Sequence, residues 1–287
     1  MITARGVHKG LEKGLQVMMP ALFVLLIVML IYAMTSTGQF MNAVSFMFTV
    51  DFSKITFDAV VAALGQAFFT LSLGMCALMA YGAYMPSSNS IARTAVSVAA
   101  LDTLMALISG LIVFPIVFAY GLEPSAGPGL LFVSLTAAFA NIPMGELFGA
   151  IFFILVGIAA LSSAISLVEP GLAFLTERTS LSRVPATILI CTAVWAVGMG
   201  TVFSMTGDLG ELPLIGLNFF DSIDKLTNNL MLPLGGLGIA LFTGWVMSRS
   251  SMTKELGLSV GMFNFWRAMV RVIIPVLVIT IVGSLLF

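Results

Sequence analysis

The stretch GQAFFTLSLG, residues 65–74, places polar side chains inside an apolar run long enough to cross a bilayer. Gln66, Phe69 and Thr70 are spaced i, i+3 and i+4, so they share one face of a helix. That face is costly against lipid and is expected to contact protein or water. The segment 72–74 then combines a serine and a glycine near the middle of the span, which predicts that the helix unwinds there.

A break of this kind has a functional meaning inside a membrane. Unwound backbone leaves carbonyl and N–H groups free, and these are tolerated in hydrocarbon only around a polar cavity. Transporters use opposed half-helix ends to hold ions and charged substrates. The alternative interpretation is that Gly74 only lets two helices pack closely.

The composition of the whole chain indicates an integral membrane protein. Of its 287 residues, 60% are hydrophobic and 9% are charged, against roughly a quarter charged in an average soluble domain. We find about seven apolar runs of spanning length, without the alternating polarity of a β-barrel. They begin near Gln16, Val60, Ile91, Phe148, Val184, Leu230 and Met269. The prediction is an all-α membrane protein with one domain over 1–287, and no basic run suggests nucleic-acid binding.

The Lys and Arg residues between these runs are concentrated on one side. That side holds Arg5, Lys9, Lys13, Arg93, Arg178, Arg183, Arg249, Lys254, Arg267 and Arg271. The other side holds only Lys54 and Lys225. The positive-inside rule therefore predicts a multi-pass protein of the cell (inner) membrane with its N-terminus in the cytoplasm.

A stripe of small and hydroxyl residues crosses the fourth run, in LVGIAALSSAISLVEP. Ala159, Ser162, Ser163 and Ser166 are spaced i, i+3, i+4 and i+7, with Ser162 near mid-span. Two adjacent hydroxyls can ligate a hard cation such as sodium, which takes oxygen ligands as calcium and magnesium do. The alternative is that these hydroxyls bond their own backbone or a neighbouring helix.

Asp102 lies only a few residues from the middle of the third run. A carboxylate at that depth costs roughly 2.5–3.5 kcal/mol on insertion scales. Because no Lys or Arg occurs within that span, a bound cation or a proton is the expected partner. A structural, hydrogen-bonded acid is the alternative.

The connection between the third and fourth runs contains an apolar piece, 130–140, that is too short to cross the bilayer. Glycines and prolines frame it at Gly127, Pro128, Gly129 and Pro143. The pattern predicts a re-entrant or capping hairpin, with a plain interfacial loop as the alternative.

Taken together, these motifs closely resemble those of the bacterial neurotransmitter:sodium symporter family. The resemblance rests on GQAFFTLSLG followed by Tyr81, Gly82 and Tyr84, on ALSSAISLVEP and on PSAGPGLLFVSL, and it runs across almost the whole chain. It implies sodium-driven uptake of an amino acid or related amine by a LeuT-type fold of two inverted five-helix repeats. It also implies that the chain begins at the family's fifth helix, so that the first four helices are expected in a separate or upstream segment.

The resemblance assigns ion-binding roles to particular residues. Thr70 and Asp102 would belong to the first sodium site, with Asp102 where many members have Asn. The carbonyl of Ala159 and the hydroxyls of Ser162 and Ser163 would form the second site. Chloride is not expected as an ion, because Asp102 brings a negative charge and Ala106 stands where chloride-dependent members have Ser.

Further roles concern the substrate. Phe69 would be the aromatic lid, and Gln66 and Asp224 would join it in the outer gate. The residues that would line the substrate pocket are Phe69, Thr70, Ser72, Met75, Ser163 and Leu167. Because Met75 and Leu167 are apolar, the expected substrate is an apolar amino acid, and no organic cofactor is expected.

Three other classes of function were weighed against this one. A non-transporting membrane partner, or a relic of such a transporter, is the main alternative. A seven-span receptor would have its N-terminus outside, contrary to the Lys and Arg distribution. An intramembrane enzyme is disfavoured because the sequence has no His–metal cluster or nucleophile–base pair, and His8 is its only histidine.

Overall fold

The computed structural model describes residues 13–83, 85–86, 88–121, 129–141, 143–207 and 217–286. Their regular structure is helical, because a helix satisfies its peptide groups within the segment and needs no water to do so. The α-helices of this described part are α1 (Lys13–Ser36), α2 (Phe40–Phe48), α3 (Phe57–Thr70), α4 (Ala77–Ala83), α5 (Ile91–Ala119), α6 (Leu135–Phe139), α7 (Gly145–Arg178), α8 (Arg183–Thr206), α9 (Phe219–Lys225), α10 (Leu232–Leu241), α11 (Arg249–Leu256), α12 (Val260–Ala268) and α13 (Ile274–Leu286).

Short π-helical segments join several of these helices into longer rods. Leu226–Met231 links α9 to α10, and Phe242–Val246 extends α10. Met269–Ile273 links α12 to α13. A π-turn inserts a residue into the helical ladder and is frequent at functional sites.

Six helices in the described part are long and apolar enough to cross a membrane. They are Gln16–Ser36, Ile91–Ala119, Gly145–Arg178, Arg183–Thr206, Phe219–Val246 and Val260–Thr280. The predicted all-α membrane architecture is confirmed. The expected seventh span, near Val60, is not one continuous helix but the shorter pair α3 and α4.

The beginnings of the last two spans were predicted too late. They start at Phe219 and Val260, roughly two or three helical turns before Leu230 and Met269. Asp221, Asp224 and Lys225 lie in the first two turns of one span, and Arg267 lies in the third turn of the other. These charges lower the local hydropathy, so the apolar run begins after the helix does. As a consequence, Arg267 and Arg271 lie inside the last span and not in the connection before it.

The break predicted at 72–74 is confirmed. Helix α3 ends at Thr70 and α4 begins at Ala77, so the chain between them is not helical. Thr56 caps the other end of α3 with a 3.2 Å hydrogen bond from the Ala59 N–H to its hydroxyl.

The described residues fall into two compact units, which are considered separately. The first contains residues within 13–54 and 100–166, and the second residues within 55–99 and 167–286. The core of the first unit is apolar and includes Leu26, Met29, Ile112, Ile116, Leu135 and Phe139. Burial of such side chains stabilises each by roughly 1.5–3 kcal/mol relative to exposure in water, and in lipid their close packing gives specificity.

The short apolar piece after the third span forms a helix that packs into this core. It runs from Leu130 to Phe139, beginning with a π-turn and continuing as α6. Leu135, Ala138 and Phe139 are buried, and the Tyr32 hydroxyl donates to the Pro143 carbonyl at 3.0 Å beyond its end. The capping interpretation therefore fits better than a plain interfacial loop, while Gly127 and Pro128 lie outside the described residues.

Candidate functional site

The unwound segment between α3 and α4 adopts a backbone that glycine favours. Three residues have positive φ: Ser72 at 52°, Gly74 at 80° and Cys76 at 60°. For residues other than glycine this conformation costs of order 1–3 kcal/mol. Strain of this size persists only where the surroundings hold the chain in place, which marks the segment as a candidate site.

The first half of the segment still satisfies its backbone donors. The Ser72 N–H donates to the Phe69 carbonyl at 3.0 Å, and the Leu73 N–H donates to the Phe68 carbonyl at 2.8 Å. In the described part of the chain, the N–H groups of Gly74 and Met75 make no such bond. Two backbone donors of the break thus lack a backbone acceptor there, as expected for a broken helix that borders a binding site.

Helix α10 holds the break by direct contact between backbones. A Cβ on Gly74 would meet the Leu232 carbonyl, and it would lie 2.9 Å from the Gly236 nitrogen. A Cβ on Gly235 would in turn meet the Gly74 carbonyl and lie 3.1 Å from its carbon. Only glycines permit this approach, because the opposing atoms are backbone and cannot move aside as a flexible side chain can.

The polar face predicted on α3 is accessible in the second unit. Gln66 and Thr70 are exposed, and Phe69 is 50% exposed. Ser72 and Met75 are half-buried in the unwound segment. Four of the proposed substrate residues therefore lie at the end of α3 and in the unwound segment that follows it, namely Phe69, Thr70, Ser72 and Met75.

On α7 the small-residue stripe is present, and two of its serines, Ser162 and Ser166, bond along the helix. The Ser162 hydroxyl donates to the Ala159 carbonyl at 2.8 Å, and the Ser166 hydroxyl donates to the Ser162 carbonyl at 2.9 Å. The backbone-bonding alternative is therefore what the structure shows. The same bond brings two of the predicted sodium ligands, the Ala159 and Ser162 oxygens, next to each other, and a donating hydroxyl keeps lone pairs for a cation.

A cavity of about 390 Å³ lies beside this stripe in the first unit. Ala159 and Ser163 line it from α7, Ser109 from α5, and Leu26 and Met29 from α1. Ser162 itself is buried, with 8% of its surface exposed. The two adjacent serines therefore have different surroundings: Ser163 borders the cavity and Ser162 bonds within the helix.

The carboxylate assigned to the first sodium site is half-buried on α5. Asp102 belongs to the first unit, Ala106 follows one turn later and is exposed, and Thr70 belongs to the second unit. The pairing of Thr70 with Asp102 stays a prediction. No cluster of three or more His, Cys, Asp or Glu side chains occurs in the part of the chain that the structure describes.

The remaining assigned residues lie in the second unit. Asp224 is exposed on α9 and accepts a 2.8 Å hydrogen bond from the Asn228 amide. Leu167, on α7, is 47% exposed. Their roles in the gate and the substrate pocket stay predictions.

Sequence reasoning missed a buried ion pair between α7 and α8. The Arg183 guanidinium donates to a Glu169 carboxylate oxygen at 2.7 Å, and Glu169 is only 1% exposed. Arg183 had been counted only as a residue that orients the protein. The one sequence signal is an acid beside Pro170 within an apolar run, and it does not identify the partner.

Sequence reasoning also missed Gly235 and Gly236, although the run LPLGGLG carries a signal. Three glycines in an apolar helix indicate close helix packing. The pattern does not tell which segment packs there.

Ion-coupled secondary transporters typically contain a membrane helix that is broken at mid-span, and they combine it with a carbonyl and a hydroxyl that lie side by side on a second helix. Comparison with known proteins gives the same class. The family model described as "Sodium:neurotransmitter symporter family" matches residues 1–287. The chain belongs to this family, whose members are secondary transporters and not enzymes.

Similar proteins include bacterial sodium-dependent transporters. The chain is 35% identical over 290 residues to the transporter YhdH of Bacillus subtilis, covering 100% of this chain and 64% of that protein. It is 32% identical over 250 residues to a sodium-dependent transporter of Haemophilus influenzae, covering 86% of this chain and 54% of the relative. The chain thus spans less than two thirds of the length of these relatives.

A solved structure shows the same fold. The crystal structure of MhsT in complex with L-phenylalanine matches with a TM-score of 0.89 and 43% identity. The match covers 99% of this chain and 64% of MhsT. The expected LeuT-type transporter fold is thereby confirmed.

Proposed function

We propose that this protein takes part in sodium-coupled symport of an amino acid or related small amine across the plasma membrane. The observation that carries the proposal is the broken helix α3–α4, whose Gly74 is locked against α10 by contact between backbones. A break that the fold holds so firmly, at the cost of positive φ at two non-glycine residues, Ser72 and Cys76, is expected where unwound backbone binds a ligand.

The proposed second sodium site uses the Ala159 carbonyl with the Ser162 and Ser163 hydroxyls. The 2.8 Å bond between Ala159 and Ser162 supports the assignment, because both oxygens lie on the same turn. Ser163 borders the neighbouring cavity. Neutral oxygen donors of this kind suit a hard, monovalent cation that must bind and then leave.

The proposed substrate is an apolar amino acid. Phe69, Ser72 and Met75 supply an aromatic ring, a hydroxyl and a thioether at the break, and Leu167 adds an apolar side chain. Free N–H groups at Gly74 and Met75 suit a substrate carboxylate. L-Phenylalanine, the ligand in the MhsT crystal structure, is the first compound to test.

The chain covers 64% of the length of MhsT. Transport by a transporter of full family length is therefore included in what we propose. The alternative function is a non-transporting membrane partner or relic. The two are separated by assaying the 287-residue chain and the product of the full reading frame side by side.

The test is sodium-dependent binding of radiolabelled L-phenylalanine to both proteins in detergent, followed by uptake into proteoliposomes. Replacing both Ser162 and Ser163 with Ala removes two oxygen ligands and keeps the helix surface small. Sodium affinity is expected to fall about a hundredfold or more, because two ligands are lost and each ligand to a charged group contributes on the order of 1.5–3 kcal/mol.

Ser166→Ala is the matched control, since Ser166 lies on the same stripe and has no assigned ligand role. Its sodium affinity is expected to equal that of the unmodified protein. Sodium dependence that survives the double replacement would count against the site. Absence of sodium-dependent binding in both proteins, for a panel of amino acids, would favour the non-transporting alternative.

A further inference from the structure

Three arginines lie close to the beginning of the last span. Arg249 is the first residue of α11, Arg267 lies in the last turn of α12, and Arg271 lies in the π-helical segment that follows. Arg267 and Arg271 are separated by one helical turn and share a face of the span.

Arg267 and Arg271 carry charge inside a spanning helix without an acidic partner in the described residues. The Nε atoms of both are buried and make no hydrogen bond there. Arg183, by contrast, has the Glu169 carboxylate at 2.7 Å. A cation at membrane depth costs roughly 2.5–3.5 kcal/mol on insertion scales unless a counter-charge is supplied.

Neighbouring side chains fix Arg271 in place. Its guanidinium carbon lies 4.3 Å from the centroid of the Trp245 ring, and the Trp245 indole donates to the Arg271 carbonyl at 3.3 Å. Gly244 makes room for this packing, since a Cβ there would lie 2.8 Å from the Arg271 Cγ. Stacking on an aromatic face leaves the edge of a guanidinium open to a phosphate or carboxylate.

An apolar cavity of about 430 Å³ lies against the span that carries the two arginines. Trp266, Val270, Ile274 and Val278 line it along the same span, at helical spacing and one position away from Arg267 and Arg271. Ala240 lines it from α10. Among the described residues that line it, Thr243 is the one with a hydroxyl. The helix that carries the two arginines therefore also forms one wall of the apolar cavity.

We propose that this part of the second unit binds an anionic phospholipid, with the phosphate at Arg267 and Arg271 and an acyl chain in the cavity. Arginine pairs with phosphate in bidentate fashion, and basic pockets between membrane helices bind anionic head groups. Trp245 and Trp266 are suited to the head-group level of the bilayer. A soluble anion would match the arginines but would leave the apolar cavity without a ligand.

The test is native mass spectrometry of the chain in detergent micelles, titrated with dioleoyl phosphatidylglycerol or dioleoyl phosphatidylcholine. The unmodified protein is expected to retain the anionic lipid preferentially. In the variant Arg267→Gln with Arg271→Gln, retention of phosphatidylglycerol is expected to fall about tenfold, to the level of phosphatidylcholine. Arg93→Gln, at an exposed arginine of α5, is the control and is expected to change nothing.

A second variant tests the cavity independently of charge. Ala240 is buried at the cavity wall, so Ala240→Leu is expected to weaken binding of the dioleoyl lipid and to leave binding of short-chain dihexanoyl phosphatidylglycerol unchanged. Circular dichroism checks that each variant keeps its helices.

Equal retention of both head groups by the unmodified protein would overturn the proposal, as would an undiminished preference in the double arginine variant. If that variant does not fold, the head-group preference and the Ala240→Leu result decide.

Discussion

Asp102 is the single residue on which the ion chemistry of the proposed transporter depends most. It is a half-buried carboxylate on the membrane-spanning helix α5. A sodium ion near mid-membrane needs a compensating negative charge, because a low local dielectric makes an unpaired ion costly. In the proposed sodium site Asp102 would supply that charge from the protein, and Ala106, one turn later, would offer no hydroxyl to a chloride ion.

We therefore expect substrate binding to be unchanged when chloride is replaced by gluconate. Asp102→Asn keeps an oxygen ligand and removes the charge, so sodium affinity is expected to fall about tenfold. Adding Ala106→Ser restores a donor for an anion, and the double variant is expected to become chloride-dependent. Sodium titrations of radioligand binding in the two salts measure all three effects.

Glu146→Gln, at an exposed acid in the first turn of α7, is the control for the loss of one negative charge. Its sodium affinity is expected to be unchanged. A chloride requirement in the unmodified protein would show that Asp102 is not the compensating charge. Unaltered sodium affinity in Asp102→Asn would show the same.

At the scale of elements, the central feature is the contact between the α3–α4 break and α10. Gly74, with φ of 80°, and Gly235 approach each other through backbone atoms alone. The break and α10 are expected to shift together, because neither has a side chain at the contact that could move aside. The shape of the proposed binding segment is consequently set by α10 as much as by its own sequence.

Gly235→Ala tests this coupling. The added methyl group would meet the Gly74 carbonyl, so the break is expected to shift and substrate affinity to fall at least about tenfold while helix content stays unchanged. Radioligand binding and circular dichroism measure the two effects.

Gly238→Ala on the same helix is the matched control, because a Cβ there has nothing within 4 Å. It is expected to bind normally and to be slightly more stable, by roughly 0.5–1 kcal/mol, since Ala is the better helix former. Normal substrate affinity in Gly235→Ala would mean that the contact with α10 does not shape the site.

For the whole molecule, the distribution of Lys and Arg predicts the orientation in the membrane. Arg249 and Lys254 lie on α11, between the last two spans, whereas Arg267 and Arg271 lie within the last span. The remaining Lys and Arg residues still favour a cytoplasmic position for the N-terminus and for α11.

Cysteine labelling in intact bacteria tests that orientation. In a background with Cys76→Ser and Cys191→Ser, Ser53→Cys is expected to react with a membrane-impermeant maleimide from outside. Ser250→Cys, next to Arg249, is expected to react only after the membrane is opened. The reverse pattern would place the N-terminus outside and would contradict the positive-inside interpretation.

Much of this molecule is determined by local sequence. A hydrophobic run of spanning length can be satisfied in lipid only by a helix, and a serine and a glycine at mid-span weaken the helix where they stand. For that reason the all-α membrane architecture and the break after Thr70 were predictable. The apolar piece 130–140 was expected as a re-entrant or capping hairpin, and its described residues form the helical stretch Leu130–Phe139. The motifs around the break and the serine stripe also identified the family.

Tertiary structure alone decided which groups meet. Gly74 packs against Gly235, and Glu169 pairs with Arg183, because distant segments are brought together by helix packing that local hydropathy does not encode. The Ser162 hydroxyl turns to the Ala159 carbonyl for a related reason, since a buried donor takes the acceptor that its surroundings offer. Local hydropathy also did not reveal where the last two spans begin, because a charged residue within a span lowers the hydropathy around it. In the folded protein such a charge is accommodated by packing or by an aromatic neighbour, as Arg271 is by Trp245.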